Sequence, residues 1–199
     1  MNIAPEQENK PEFIRAFIAV EIDEAARTKL AAMQEALKEA NGHVSWVRPQ
    51  NIHCTLVFLG DIFQSAIEAV AGALAGAAAG SKPFEIEIAG LGFFGSARSP
   101  RIIWSGIAGA VMPLVKLQND LVTAVSTAGM KPDAKPFKPH LTIGRVRSNR
   151  NAAALVRALE EDKNKSFGKI FVRQVVLMQS RLTAKGPEYT LLQSATLGG

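Results

Sequence analysis

Along the chain, apolar and polar residues alternate at period two in several short stretches separated by segments of helical periodicity. Between residues 13 and 22, Ile14, Ala16, Ile18, Val20 and Ile22 form one apolar face. Phe13, Arg15, Phe17, Ala19 and Glu21 form a mixed one. This pattern predicts a strand with one core face and one face carrying Arg15 and Phe17. Residues 51–60 alternate likewise: His53, Thr55, Val57 and Leu59 on one side, Cys54, Leu56 and Phe58 on the other, closed by Gly60-Asp61. Further strands are predicted at 82–93, 101–107, from His140 onward, 168–180 and 188–196, with a hairpin loop at Gly95–Pro100 and a turn at Lys185-Gly186-Pro187.

Between the strands, Asp23 is placed to cap a helix that turns Leu30, Met33 and Leu37 inward and stops at Asn41-Gly42. An Ala- and Gly-rich helix is expected over 63–79 and another over 111–128, stopped by Gly129. A short helix capped by Asn149 or Asn151 should end near Asp162. Each half then runs strand, helix, His-x-Thr strand, helix, strand, and Phe17 precedes His53 by the same interval as Trp104 precedes His140. The expected fold is α+β and bilobal, with two pseudo-symmetric halves (about 11–95 and 96–199). Mainly antiparallel sheets should face a central cleft, with helices outside. Residues 1–10 read as a disordered leader and 11–199 as a single domain.

A histidine and a threonine two apart on a strand point the same way, so an imidazole and a hydroxyl share one face. The pattern occurs twice, in His53-Cys54-Thr55-Leu56 and His140-Leu141-Thr142-Ile143. His43, beside a turn and with no such threonine, reads as a surface residue. On an unbroken strand Arg145 would face away from His140, unless Gly144 marks a bulge that re-aims it. Arg15 is either a surface ion pair or a cation facing the cleft. Phe17 is a candidate for stacking on a base, whereas Phe58 and Cys54 lie opposite His53 and read as core.

Composition narrows the classes. Of 199 residues, 47% are apolar and 21% charged, the proportions of an ordinary globular protein. A single cysteine excludes an internal disulfide and fits a reducing, cytoplasmic setting. The Ala/Gly run of residues 66–80 is too short and too weakly apolar to span a bilayer, so no membrane association is expected. The formal charge is +5, and residues 131–150 hold six bases against one acid, flanking His140 on both sides. Such a cluster attracts anions.

Two imidazoles, with ordinary pKa near 6.5, suit paired general acid and base work near neutrality, while threonine hydroxyls can hold an anionic oxygen. The chemistry that fits is in-line opening of a phosphodiester. The two motifs are near-equivalent, so the residues alone leave open which histidine gives the proton. There is no His-Glu-x-x-His or paired-cysteine pattern, so no metal site is expected.

With these motifs and their flanks the chain resembles the 2H phosphoesterase superfamily, and within it the bacterial and archaeal RNA 2′,3′-cyclic phosphodiesterases, also called 2′-5′ RNA ligases. The resemblance rests on Arg15-Ala16-Phe17-Ile18-Ala19-Val20, on Trp46 through Gly60, on the strand at 101–107 and on Phe137-Lys138-Pro139-His140-Leu141-Thr142-Ile143-Gly144-Arg145. It also includes Ser180-Arg181-Leu182 and Gly186-Pro187-Glu188-Tyr189. Cys54 departs from the larger aliphatic residue usual in the family. The resemblance implies a metal-independent enzyme without cofactor that hydrolyses an RNA terminal 2′,3′-cyclic phosphate to a 2′-phosphomonoester, with reverse 2′-5′ joining. It implies His53 as proton donor, His140 as proton acceptor, and Thr55 and Thr142 on the phosphate, with Arg145, Arg15 and Phe17 as further substrate contacts. A monomer acting on RNA ends is expected. Rival readings are a phosphodiesterase for small 2′-5′ oligonucleotides or ADP-ribose cyclic phosphate, and a non-catalytic RNA-binding module.

Overall fold

The computed structural model describes residues 12–109, 111–133, 135–184 and 186–198; the expected leader over 1–10 lies outside them. The elements follow as β1 (Phe13–Glu21), α1 (Glu24–Lys38), β2 (Val44–Trp46), β3 (His53–Phe63), α2 (Ile67–Ala79), β4 (Phe84–Ser96) and β5 (Ser99–Gly109). They continue as α3 (Val111–Thr127), β6 (His140–Val146), α4 (Ala152–Glu161), β7 (Ser166–Val172), β8 (Gln174–Thr183) and β9 (Gly186–Thr196).

The fold is α+β. Among the described residues the strands form one nine-stranded sheet in the order β7-β4-β5-β6-β3-β1-β8-β9, with β2 paired to β6, and every pairing is antiparallel. The two halves expected around a cleft are the two wings of this sheet, β3-β1-β8-β9 and β6-β5-β4-β7. A single residue pair, Cys54 with Leu141, joins them.

The wings are not the halves of the chain at 11–95 and 96–199. β4 pairs with β5 and β7, while β8 returns to pair with β1. The strand expected over 168–180 is accordingly two strands broken at Arg173, because β7 ends on β4 and β8 begins on β1. Five strands separate β7 from β8 in the sheet, yet one residue separates them in the chain. Since a residue spans only about 3.3 Å, the sheet has to curl until its wings approach each other.

Register makes the pseudo-symmetry explicit. β1 aligns Phe17, Ile18, Ala19, Val20 and Glu21 with Phe58, Val57, Thr55, Cys54 and His53. β5 aligns Ile102, Ile103, Trp104, Ser105 and Gly106 with Arg145, Gly144, Thr142, Leu141 and His140. Both ladders skip one residue at the same step, Leu56 in β3 and Ile143 in β6. The counterpart of Phe17 is therefore Ile102, not the Trp104 suggested by matched spacing.

One contiguous core covers the face behind this sheet, drawing Ile18, Leu30, Cys54, Leu74, Ile103, Leu141, Leu155 and Leu177 from both wings and from the helices. Burying such side chains supplies the main drive for folding, about 1.5–3 kcal/mol each. Asp23 caps α1 as expected, its Oδ1 accepting from the Ala26 N–H at 2.8 Å, and Asn41 takes the left-handed conformation (φ 52°) just past its end. At α4 the expected side-chain cap is absent. Asn151 (φ 55°) instead donates its amide to the Asn41 carbonyl at 2.9 Å, and the Asn149 carbonyl accepts from the Ala152 N–H.

Candidate active site

Cys54 and Leu141, paired across β3 and β6, are both buried in the core. Their neighbours therefore turn to the other face of the sheet, and extending the antiparallel register one residue each way sets His53 against Thr142 and Thr55 against His140. The two His-x-Thr pairs are thus adjacent on one sheet face, around the local two-fold. They line a cleft of about 380 Å³ together with Arg15, Phe17, Phe58 and Arg145.

The paired bulges decide the rest of that lining. In β3 both Leu56 and Val57 are buried, and in β6 both Ile143 and Gly144, so the alternation slips by one residue in each strand. Phe58 and Arg145, five positions after their histidines, come round to the cleft. Strict alternation put Phe58 in the core, and the bulge overturns this. Gly144 is where the re-aiming of Arg145 was anticipated. A Cβ at Gly144 would lie 2.8 Å from Val44 Cγ1 and 3.1 Å from Trp46 Cε3, so only glycine lets β2 lie this close. Gln34 of α1, 3% exposed, supports the bulge from behind. Its amide donates to the carbonyls of Ile143 (2.8 Å) and Val47 (2.7 Å).

Both imidazoles are held alike. Nδ1–H of His53 donates to the Asn51 carbonyl at 2.8 Å, and Nδ1–H of His140 donates to the Lys138 carbonyl at 2.6 Å, each two residues upstream. In the neutral tautomer this assigns, the free lone pair of each ring is on Nε2. The Thr55 hydroxyl donates to His53 Nε2 at 2.9 Å.

His53 stacks on Phe17 (centroids 4.7 Å apart, 20° between planes), and Tyr189 meets its ring edge-on at 5.3 Å. His140 meets Phe94 edge-on at 4.9 Å. Burial first, then the positive charges of Arg145 and His140, pull the pKa of His53 down to about 4 against the hydrogen bond to Asn51. Burial pushes the Cys54 thiol up to about 12, leaving it a core residue. Burial also raises the Tyr189 phenol, opposed by Arg145.

Of the residues singled out in the sequence, His53, Thr55, His140, Thr142, Arg145, Arg15 and Phe17 all border this one cleft. The exposed guanidinium of Arg15 lies 4.8 Å above the Phe58 ring. Phe17 is only 4% exposed and its face is covered by His53, so it backs the imidazole and offers no free face to a base. His43 is exposed beside Ser148, away from the cleft. Tyr189, Asn51, Ser180 and Leu182 also line the site and were not anticipated. Being the one tyrosine of the chain was the only sequence signal at Tyr189.

The LigT-like phosphoesterase family model matches residues 20–104 and 108–189. An RNA 2′,3′-cyclic phosphodiesterase of Methanothermobacter thermautotrophicus is 36% identical over 177 residues, covering 89% of this chain and 95% of that protein. The Archaeoglobus fulgidus protein of the same name is 36% identical, covering 88% and 96%. Among solved structures, a Thermus thermophilus protein superposes with a TM-score of 0.74 at 27% identity, over 94% of this chain and 99% of that one. Escherichia coli LigT complexed with 3′-AMP superposes with a TM-score of 0.75 at 22% identity, over 94% and 100%, which speaks to the fold. The chain belongs to the LigT-like RNA 2′,3′-cyclic phosphodiesterase family of 2H phosphoesterases.

Proposed function

We propose that this protein hydrolyses the terminal 2′,3′-cyclic phosphate of RNA to a 2′-phosphomonoester, with His140 as base and His53 as acid. His140 Nε2 takes a proton from water as its oxygen bonds to phosphorus. The bond from phosphorus to the 3′-oxygen breaks in line, and His53 Nε2 returns a proton to that oxygen. Thr55 and Thr142 donate to the non-bridging oxygens, and Arg145 offsets the charge that builds on them. The observation that carries this reading is the adjacency of the two His-Thr pairs on one sheet face, with the proton-accepting nitrogen of each imidazole left free by a carbonyl on the other.

His53 is neutral in the empty cleft, so as an acid it has to gain a proton. The bound phosphate anion supplies the opposing charge, and the Thr55 hydroxyl turns from Nε2 to the phosphate. Each proton transfer contributes about 10²–10⁴ in rate, so His53→Ala and His140→Ala should each lower kcat on cyclic-ended RNA by at least about 10². Fold is checked by circular dichroism. Wild-type turnover in the double variant would overturn the proposal. Loss of turnover with RNA affinity retained would separate it from a binding module. Side-by-side turnover of cyclic mononucleotide, 2′-5′ oligonucleotide and ADP-ribose cyclic phosphate ranks RNA against small substrates.

A further inference from the structure

A second cavity, of about 510 Å³, opens beside His140 and is continuous with the catalytic cleft through Thr55, Phe58 and His140. Its walls are apolar and largely aromatic: Phe58, Phe94 and Phe137, with Ile102 and, from α3, Val122. Lys135 and Lys138 stand exposed at its rim, the Lys138 ammonium 5.9 Å from the Phe94 ring centre. The loop before β6 is tied down, since the Asp133 N–H donates to the Phe58 carbonyl at 3.1 Å, so the groove is preformed.

The local two-fold shows what is unusual here. Phe58 stands where the other wing has Arg145, and Ile102 where it has Phe17. The His53 side of the cleft is consequently charged and the His140 side aromatic. In an in-line displacement the attacking oxygen enters opposite the departing one. With His53 serving the departing 3′-oxygen, the attacking oxygen arrives from the His140 side. Water, occupying about 30 Å³, has no use for a groove this large and apolar.

We infer that this groove is an acceptor subsite, seating the base of a nucleoside whose 5′-hydroxyl replaces water as the attacking group; this rests on the function proposed above. The base lies against Phe58, Phe94 and Phe137, and the next phosphate of an acceptor strand meets Lys138. The 5′-hydroxyl proton passes to His140 Nε2 as its oxygen bonds to phosphorus. The bond to the 3′-oxygen breaks, His53 protonates that oxygen, and a 2′-5′ linkage results.

The test incubates the enzyme with a cyclic-phosphate-ended oligonucleotide and rising adenosine, and measures the ratio of 2′-5′-capped product to 2′-phosphate. The ratio should saturate with adenosine, and glycerol at equal concentration should give about tenfold less capture, the scale of one base-stacking contact. Val122→Phe, which fills the groove, and Phe137→Leu, which removes a ring, should each lower the ratio by about tenfold at most and severalfold at least. A ratio rising without saturation, equal capture of glycerol, or an unchanged ratio in both variants would overturn the groove while leaving hydrolysis intact. If the variants instead raised KM for hydrolysis and left the ratio alone, the groove would hold the donor nucleotide and the inference would fall. Absence of hydrolysis in the wild type would sink both this inference and the function on which it rests.

Discussion

His53 is the residue on which chemistry and stability meet. Its ordinary pKa is 6.5 and burial lowers it to about 4 in the folded protein. Between those two values the unfolded chain binds a proton that the folded chain refuses. The stability contributed by the neutral imidazole is therefore complete above pH 6.5 and is lost as pH falls toward 4. The shift corresponds to about 3 kcal/mol at most. Denaturant titrations at neutral pH and near the folded pKa should show the wild type losing about 2 kcal/mol more than His53→Gln on acidification; equal losses would mean the ring is solvated. A second consequence concerns binding. If phosphate recharges His53, binding of a 2′-phosphomononucleotide at neutral pH should take up a proton in the wild type and not in His53→Gln. Calorimetry in buffers of different ionisation enthalpy reads this directly.

At the scale of elements, the two bulges are the devices that distinguish these strands from ordinary sheet. The His-x-Thr spacing was legible because period-two alternation needs only local geometry. Phe58 was misplaced because a bulge in β3 depends on its ladder with β1, which no local pattern records. Gln34 was invisible for a related reason. On a helical projection it is one more polar residue near Leu30, Met33 and Leu37, and its role appears only when α1 packs behind Ile143. Gln34→Leu should cost about 1–3 kcal/mol, since the buried Val47 carbonyl loses its donor. If Gln34 acts by aiming Arg145, Gln34→Leu and Arg145→Ala should lower kcat/KM non-additively in a double-mutant cycle. Additive losses would assign Gln34 to stability alone. Gly144→Ala should reduce kcat/KM through the same bulge, because the added methyl displaces Val44 and Trp46.

For the whole molecule, the curl of one sheet brings its wings together and leaves a single join, Cys54–Leu141, at the centre of the site. Among the described residues no helix is long and apolar enough to cross a membrane. The formal charge of +5 arises from the segment around His140, whose bases stand mostly exposed around the cleft and groove. Such a field speeds capture of a polyanion more than of a mononucleotide. Added salt should therefore lower kcat/KM for a cyclic-ended oligonucleotide more steeply than for a cyclic mononucleotide; parallel slopes would show that the basic segment does not reach beyond the terminal phosphate.

The chain alone determined the α+β class, the run of strands and helices, the two His-Thr pairs and the basic segment beside the second. These follow from periodicity, caps and charge, which act over a few residues. Tertiary structure decided that the pairs lie side by side on one sheet, that β8 and β9 return to the wing of β1, and that Phe58 and Arg145 share the cleft. It also decided that His53 is neutral at rest. Strand order, bulge register and burial arise from residues far apart in the chain, and a pKa depends on how much water those residues exclude.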